Sequence, residues 1–423
     1  MLSKIKFIFT EKSIRDKIFF IIGILFLFRV LSTIPIPGVD VARLEQFLSN
    51  SQLLGILNIF SAGGISTLSL VMLGVGPYIT ASIIMQLLTV LSPQVKAMYK
   101  EEGEIGRRKF TQYSRYLTIP LAIAQAIGLL VLLQRQGILA ADTGSFGMAS
   151  SVLIVTAGSM LLMWLGELIS EKGIGNGVSV IIFAGIIASL PRIVAQTIST
   201  MNIPQDIPTI AAVLVGIVVV TAGVIFITEA ERKVPITYAK QVRGMSGSTA
   251  GGNTYIPLRL NQAGVIPIIF ALSLFTFPQI LASVGAASSN TIVQSIASGV
   301  TWFFQNQWLY SATYFLLVFA FTYMYTAITF EPNDVADNLQ KGGAFIPGIR
   351  PGEPTADYLS SVLTRVTFAG AFFLGVMAVL PLLVQSATGM QQIAIGGTSL
   401  LIAVSVVLDM IKKIDAQISM REY

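Results

Sequence analysis

Charged side chains inside long apolar runs are where a membrane-embedded protein would place a proton relay or an ion site. An ion at that depth is tolerated only beside a partner or a water-filled path. This sequence offers few of them. Arg29 stands late in an apolar run, within snorkelling reach of an interface, and Glu167 and Glu229 stand at the ends of two others. A chemical pump would need an intramembrane carboxylate or basic pair, and the runs carry none. Histidine and cysteine are absent from all 423 residues, which removes the commonest general base, the commonest metal ligand, the thiolate nucleophile and the disulfide. Zinc hydrolysis and catalytic triads go with them. No Gly-x-x-x-x-Gly-Lys-Ser/Thr run offers a nucleotide phosphate cradle, so energy for any work must come from a partner. The expectation is a protein that is not an enzyme and holds no cofactor.

What the runs carry instead is Gly, Ser, Thr, Asn and Gln, which favour close helix approach and interhelical hydrogen bonds, and isoleucine. Ile79, Ile83 and Ile84 fall in one run, Ile181 and Ile182 in another, Ile268 and Ile269 in a third, and Ile402 in a fourth. Side chains branched at Cβ are stiff, and a ring of stiff apolar groups gates a pore by dewetting. Ordinary lipid-facing isoleucine is the competing reading. The stretch Gly55 to Leu73 is different: it is apolar, yet Gly63 and Gly64 weaken a continuous helix, and Gly74, Gly76 and Pro77 break the chain again. About ten residues between the breaks make roughly 15 Å of helix, half a bilayer. That reads as a re-entrant segment against a cavity, since backbone that does not span is tolerated at membrane depth only against protein or water. A frayed start to the next span is the alternative.

The elements that must position these residues follow from composition. The chain is 54% hydrophobic and only 11% charged, where an ordinary soluble domain carries about 25% charged residues. An integral membrane protein is implied. A span needs about 20 apolar residues, and ten candidates occur, at about 18–35, 70–91, 117–134, 150–168, 178–198, 208–228, 263–283, 309–330, 366–386 and 396–411. Of the 27 Lys and Arg residues, Arg29 lies inside the first span and only Arg43, Arg135 and Arg192 fall on the side opposite the N-terminus. By the positive-inside rule both termini are cytoplasmic. Residues 1–17 read as a basic, amphipathic cytoplasmic segment without a cleavage site, and 412–423 as a cytoplasmic tail. The cytoplasmic loops 229–262 and 331–365 are long, and too rich in Pro, Gly and charge to enter lipid; they are the natural docking surface for a partner. Outside, 284–307 is uncharged and ends in Trp302, Phe303 and Phe304, with Trp308 just beyond, an interfacial aromatic anchor. Ten spans divide into an N-terminal half, 18–200, and a C-terminal half, 201–411; five spans per half would invert the second relative to the first.

Several stretches together resemble the SecY family, the central subunits of protein-conducting channels. They are PIPG at 35–38, GPYITASIIMQLLT at 76–89, EGEIGRRKFTQYSRY at 102–116, MWLGELISEKGIGNGVSVIIFAGI at 163–186, NQAGVIPIIFA at 261–271, GAFIPGIRPG at 343–352 and GGTSLLI at 396–402. The resemblance runs from about Asp16 to Met410. It implies an all-α membrane fold of ten helices in two inverted halves of five around a central hourglass pore, with a short re-entrant plug helix. The plug corresponds to Gly55–Leu73, with Asn58, Phe60, Gly63, Gly64, Ile65 and Leu68 as its candidate residues. The constriction falls on Ile79, Ile83, Ile182, Ile269 and Ile402, with Ile181 nearly as good a candidate as Ile182. A seam between the second and third spans on one side and the seventh and eighth on the other would release apolar segments into lipid, and Gln86 and Asn261 match polar positions near it. These two side chains could couple signal binding to opening, or simply pack.

Arg350 matches the arginine with which relatives contact the motor ATPase SecA, and Arg243 closes the familiar part of the other loop. There the chain departs: most relatives place further basic residues next, whereas this one reads Met245-Ser-Gly-Ser-Thr-Ala-Gly-Gly252. Fewer charges at that tip weaken the case for contact with ribosomal RNA or SecA. The implied partners are small membrane subunits of the SecE and SecG types, SecA, the ribosome, signal-bearing preproteins and the lipid of a bacterial plasma membrane. A secondary transporter of small solutes is the alternative, favoured by ten spans in inverted halves and opposed by the missing intramembrane charge.

Overall fold

Apolar runs of this length can satisfy their own backbone only as helices, and helices are what they form in a computed structural model of the chain. The structure describes residues 11–37, 61, 64–65, 67–139, 145–200, 207–238, 254–286, 290–388 and 391–422. In chain order the helices of the first half are α1 (Lys12–Leu31), α2 (Gly76–Leu91), α3 (Pro93–Lys100), α4 (Gly103–Arg135), α5 (Ser145–Lys172) and α6 (Gly177–Thr200). The second half has α7 (Ile207–Glu229), α8 (Ile266–Gly285), α9 (Thr291–Gln305), α10 (Gln307–Thr329), α11 (Pro332–Lys341), α12 (Glu353–Thr388) and α13 (Gln391–Glu422). Four stretches, 103–135, 146–172, 307–341 and 353–386, are long and apolar enough to cross a membrane by length and composition. The pair α2 and α3, bent by 109° at Ser92, qualifies together as a broken span.

Local chemistry sets the ends. Pro77, Pro93 and Pro332 sit in the first turns of α2, α3 and α11, where a missing N–H costs nothing. Asn290 accepts from the Ile292 amide at 3.0 Å to cap α9, and Asn176 accepts from Val178 at 3.0 Å to cap α6.

Two expectations need correction. The loops read as irregular carry a three-stranded sheet, β2-β1-β3, formed by β1 (Glu231–Tyr238), β2 (Thr254–Arg259) and β3 (Ala344–Phe345), so the fold is not purely α. Glu231 pairs with Arg259 and Ile236 with Thr254 in the antiparallel ladder. The sheet buries Val234, Ile236 and Leu258 against Ile346 and Leu359, which gives this layer its own small core. The uncharged stretch 284–307, read as a loop, is mostly α9. Polar sequence also extends the spans: EGEIGRRKFTQYSRY forms the first turns of α4, and α12 already begins at Glu353, inside the predicted 331–365 loop.

Candidate functional site

Four helices bring the isoleucines together. α2 carries Ile79 and Ile83, α6 Ile182, α8 Ile269 and α13 Ile402, and all five belong to one buried cluster, none more than 4% exposed. Burial does not separate Ile182 from Ile181, since both are fully buried. Geometry does: Ile182 lines a cavity of about 240 Å³ with Ile79 and Ile269, whereas the Cδ1 of Ile181 packs on α5, 3.5 Å from where a Cβ on Gly166 would lie. The rest of that cavity is polar, with Tyr78, Ser82, Gln86, Glu167, Ser170, Asn176 and Ser179 on its walls.

The register of α2 depends on the chain before it. Gly74 takes a positive φ of 59°, and its carbonyl accepts from the Ser159 hydroxyl at 2.9 Å. Gly158, one residue earlier on α5, leaves no room for a Cβ, which would stand 2.0 Å from the Leu70 carbonyl oxygen. Residues 64–65 and 67–75 form turns rather than the short helix expected of a plug. Asn58, Phe60 and Gly63 lie outside the described residues. Gly64 is closely surrounded, with Ser69 Oγ 2.9 Å from its would-be Cβ. Ile65 and Leu68 are buried against Leu129, Leu130 and Leu133 of α4, Val152 and Val155 of α5 and Ile280 of α8. The PIPG stretch holds this segment in place: Ile36 N–H donates to Leu68 O at 2.8 Å and Leu70 N–H to Ile34 O at 3.0 Å. Leu68 has a φ of 40°, a conformation that a branched side chain adopts only under constraint.

The two polar seam residues are not brought to one point. Gln86 lines the 240 Å³ cavity, and its Oε1 is buried without a hydrogen-bond partner. Asn261, 5% exposed, donates from Nδ2 to Gly264 O at 3.1 Å, a local bond in the turn that starts α8, while its Oδ1 is unpartnered. An unpaired buried amide oxygen costs about 1–3 kcal/mol. The charged residues in and beside the apolar runs each have a place in the structure. Glu167 accepts from Arg115 Nε at 2.8 Å, Glu229 pairs with Lys412 at 3.0 Å, and Arg29 is exposed in the last turn of α1, where a cation suits the helix dipole.

Sequence reasoning missed one link. Lys100, at the end of α3, donates to Glu331, between α10 and α11, so an ion pair joins residues 231 positions apart. The hydrogen bond from Lys100 holds the Glu331 carboxyl below its ordinary value of 4.5, with the charges of Lys100 and Lys96 adding to it. Nothing local in the sequence signals such a pair. A cavity of about 410 Å³ beside it is lined by Thr89 of α2, Thr326 of α10 and Thr364 of α12.

In the layer that carries the sheet, Arg350 is exposed at the tip of a tight loop. Gly348 and Gly352 take φ values of 82° and 96°, and the Arg350 carbonyl accepts from Thr355 Oγ1 at 2.8 Å. Arg243 and the 245–252 tip lie outside the described residues.

Comparison with known proteins gives one answer throughout. The family model described as SecY matches residues 69–411. A protein translocase subunit SecY of Streptomyces galbus is 40% identical over 432 residues, covering 98% of this chain and 97% of that protein. Among solved structures, one described by a plug domain of the SecY protein that stabilises the closed state of the translocation channel and maintains a membrane seal is similar at a TM-score of 0.63, with 19% identity over 93% of this chain and 90% of that one. A channel from a ribosome–channel complex of the canine endoplasmic reticulum is similar at a TM-score of 0.58, with 18% identity over 94% and 91% of the two chains.

Proposed function

The chain belongs to the SecY family of protein translocase subunits, and we infer from that membership and from the geometry at its centre that it is a passive protein-conducting channel. It passes unfolded preproteins across a membrane and releases apolar segments sideways into lipid. The observation that carries the reading is the convergence of Ile79, Ile83, Ile182, Ile269 and Ile402 from four helices into one uncharged cluster beside a polar cavity. A polypeptide in transit is chemically diverse, so a hydrogen-bonding site tight enough to seal around one segment would trap it. Apolar contact seals around any side chain and holds none strongly. A carrier of small solutes has no comparable observation in its favour.

The finer reading is ten spans in two inverted halves, 18–200 and 201–411, with both termini cytoplasmic in a bacterial plasma membrane. In this reading the isoleucines form the constriction, and the segment through Gly64, Ile65 and Leu68 belongs to a plug that blocks the outer funnel. Gln86 and Asn261 bias the seam: their unpaired oxygens make the closed state slightly unfavourable, so that an arriving signal helix needs less binding energy to part it. SecA or a translating ribosome drives transport from the cytoplasmic layer, where Arg350 and Arg243 contact the motor, and SecE-type and SecG-type subunits complete the channel.

The test is translocation of a signal-bearing preprotein into proteoliposomes holding this chain and a SecE-type subunit. Protease-protected preprotein is expected only with SecA and ATP together. No protection, with uptake of a small solute down an ion gradient, would overturn the reading. Arg350→Glu should lower SecA-driven transport about tenfold while leaving folding intact, as expected of an exposed arginine whose loss removes one interface anchor; unimpaired transport would remove the motor contact.

A further inference from the structure

A second cavity, of about 670 Å³, lies at the end of the molecule opposite the Lys100–Glu331 pair, and neither the isoleucine cluster nor the cytoplasmic layer uses it. Five glutamines from five elements line it: Gln136 just past α4, Gln279 of α8, Gln305 of α9, Gln307 of α10, whose Nε2 donates to Leu382 O at 2.9 Å, and Gln385 of α12. Its apolar floor includes Tyr310 and Leu382. Among the described residues lining it, the only charged side chain is Arg135. Its size falls in the range of about 300–1,000 Å³ typical of ligand clefts.

We propose that this glutamine-lined cleft binds the extended stretch of polypeptide that follows an apolar signal helix lodged in the seam. The inference rests on the channel reading above. Three of its walls, α4, α8 and α10, are three of the four helices that form the seam. A signal's apolar core of about 7–15 residues makes roughly 10–22 Å of helix, shorter than the roughly 30 Å hydrocarbon layer. The residues after it therefore leave the helix while still at membrane depth, and their N–H and C=O groups need partners there. A side-chain amide both donates and accepts and carries no charge, so glutamines pair with an extended backbone whatever its sequence. The last turns of α4, α8 and α12 also reach the cleft. The cleft is thus matched to backbone rather than to any particular side chain.

The experiment uses the full chain with its SecE-type subunit in vesicles, and a preprotein stalled in transit by a folded C-terminal domain. A photoreactive benzoylphenylalanine replaces Gln279 or Gln305 in turn, with Ile83 as the reference position in the constriction. Capture from 279 and 305 should concentrate on the residues directly after the signal core. The double change Gln279→Leu, Gln305→Leu in an otherwise unlabelled chain should lower transport of a short-signal preprotein about fivefold, the equivalent of one hydrogen bond, and of a long-signal one much less. Capture from 83 with silence at 279 and 305, or capture spread evenly along the preprotein, would overturn the cleft and leave the channel standing. Silence at all three positions, with no protected preprotein, would remove both.

Discussion

Contacts inside each half and contacts between the halves are made of different material. Within the halves, backbone meets backbone or a rigid side chain. A Cβ on Gly158 would stand 2.0 Å from Leu70 O, one on Gly177 1.9 Å from Gly166 O, one on Gly370 2.1 Å from Leu260 O and one on Gly375 2.6 Å from the Phe315 ring. Every described glycine that close to a neighbour meets a residue of its own half. Across the halves the described meeting points are side chains: the isoleucine cluster, the Lys100–Glu331 pair, and Lys413, whose Cδ is 3.6 Å from the would-be Cβ of Gly175. Cavities of about 240 and 410 Å³ lie along the same boundary. Backbone packing of this kind has no slack. Side-chain packing can part and re-form, which a channel that opens sideways requires.

The largest expected effect attacks the rigid side of that contrast. Gly158→Val or Gly177→Val forces α5 off its neighbour, and overpacking costs about 1–3 kcal/mol even where side chains can yield. Here backbone oxygen stands in the way, so little folded protein should be recovered by size exclusion in detergent. Gly23→Val, at a position with nothing within 4 Å, should behave as wild type. Equal yields for Gly158→Val and Gly23→Val would dissolve the contrast.

Next comes the movable side. The chain has no cysteine, so Lys100→Cys with Glu331→Cys gives a single oxidisable pair across the boundary. Oxidation should abolish lateral release of an apolar segment, and reductant should restore it. Full release from the oxidised protein would show that this end of the boundary stays closed during function. A third change, Ile83→Gly with Ile269→Gly, should raise ion conductance about tenfold per folded channel by wetting the constriction, while the loss of two buried side chains lowers the yield of folded protein. Unchanged conductance would remove the seal from these residues.

How legible this was depends on the range of the signal. The apolar runs fall largely on helices among the described residues, four stretches of them long and apolar enough to cross a membrane, because apolar runs and their proline starts are local properties of the chain. The family stretches marked Ile182 and Ile269, and the placement of Ile181 against Gly166 is what favours Ile182 over its neighbour on α6. The sheet went unread because β1 and β3 are more than a hundred residues apart, and β1 buries only two side chains and β3 one, too few to impose a visible alternation. The described end of the Gly55–Leu73 stretch and the residues just after it are turn and bridge for a reason visible only in space. Backbone groups of residues 68–70 bond to Ile34 and Ile36, which commits them to a turn and bridge instead of helical bonds.

The smallest effect bears on the Lys100–Glu331 link itself and sharpens what closes the boundary. Glu331 has its folded value lowered below 4.5 by the Lys100 hydrogen bond first, so the link stabilises this folded arrangement fully above that pH. It is lost only as pH falls through the lowered folded value, when the carboxyl takes up a proton. Both side chains are partly exposed, at 23% and 29%, which limits the gain to about 1 kcal/mol or less. Glu331→Gln mimics the protonated group. The thermal midpoint of wild type should therefore exceed that of Glu331→Gln by a small, constant margin from about pH 6 to 8, shrink towards it in acid, and shrink also in high salt. A margin that grows on acidification would mean that the link opposes closure, and the boundary would then be held by the isoleucines alone.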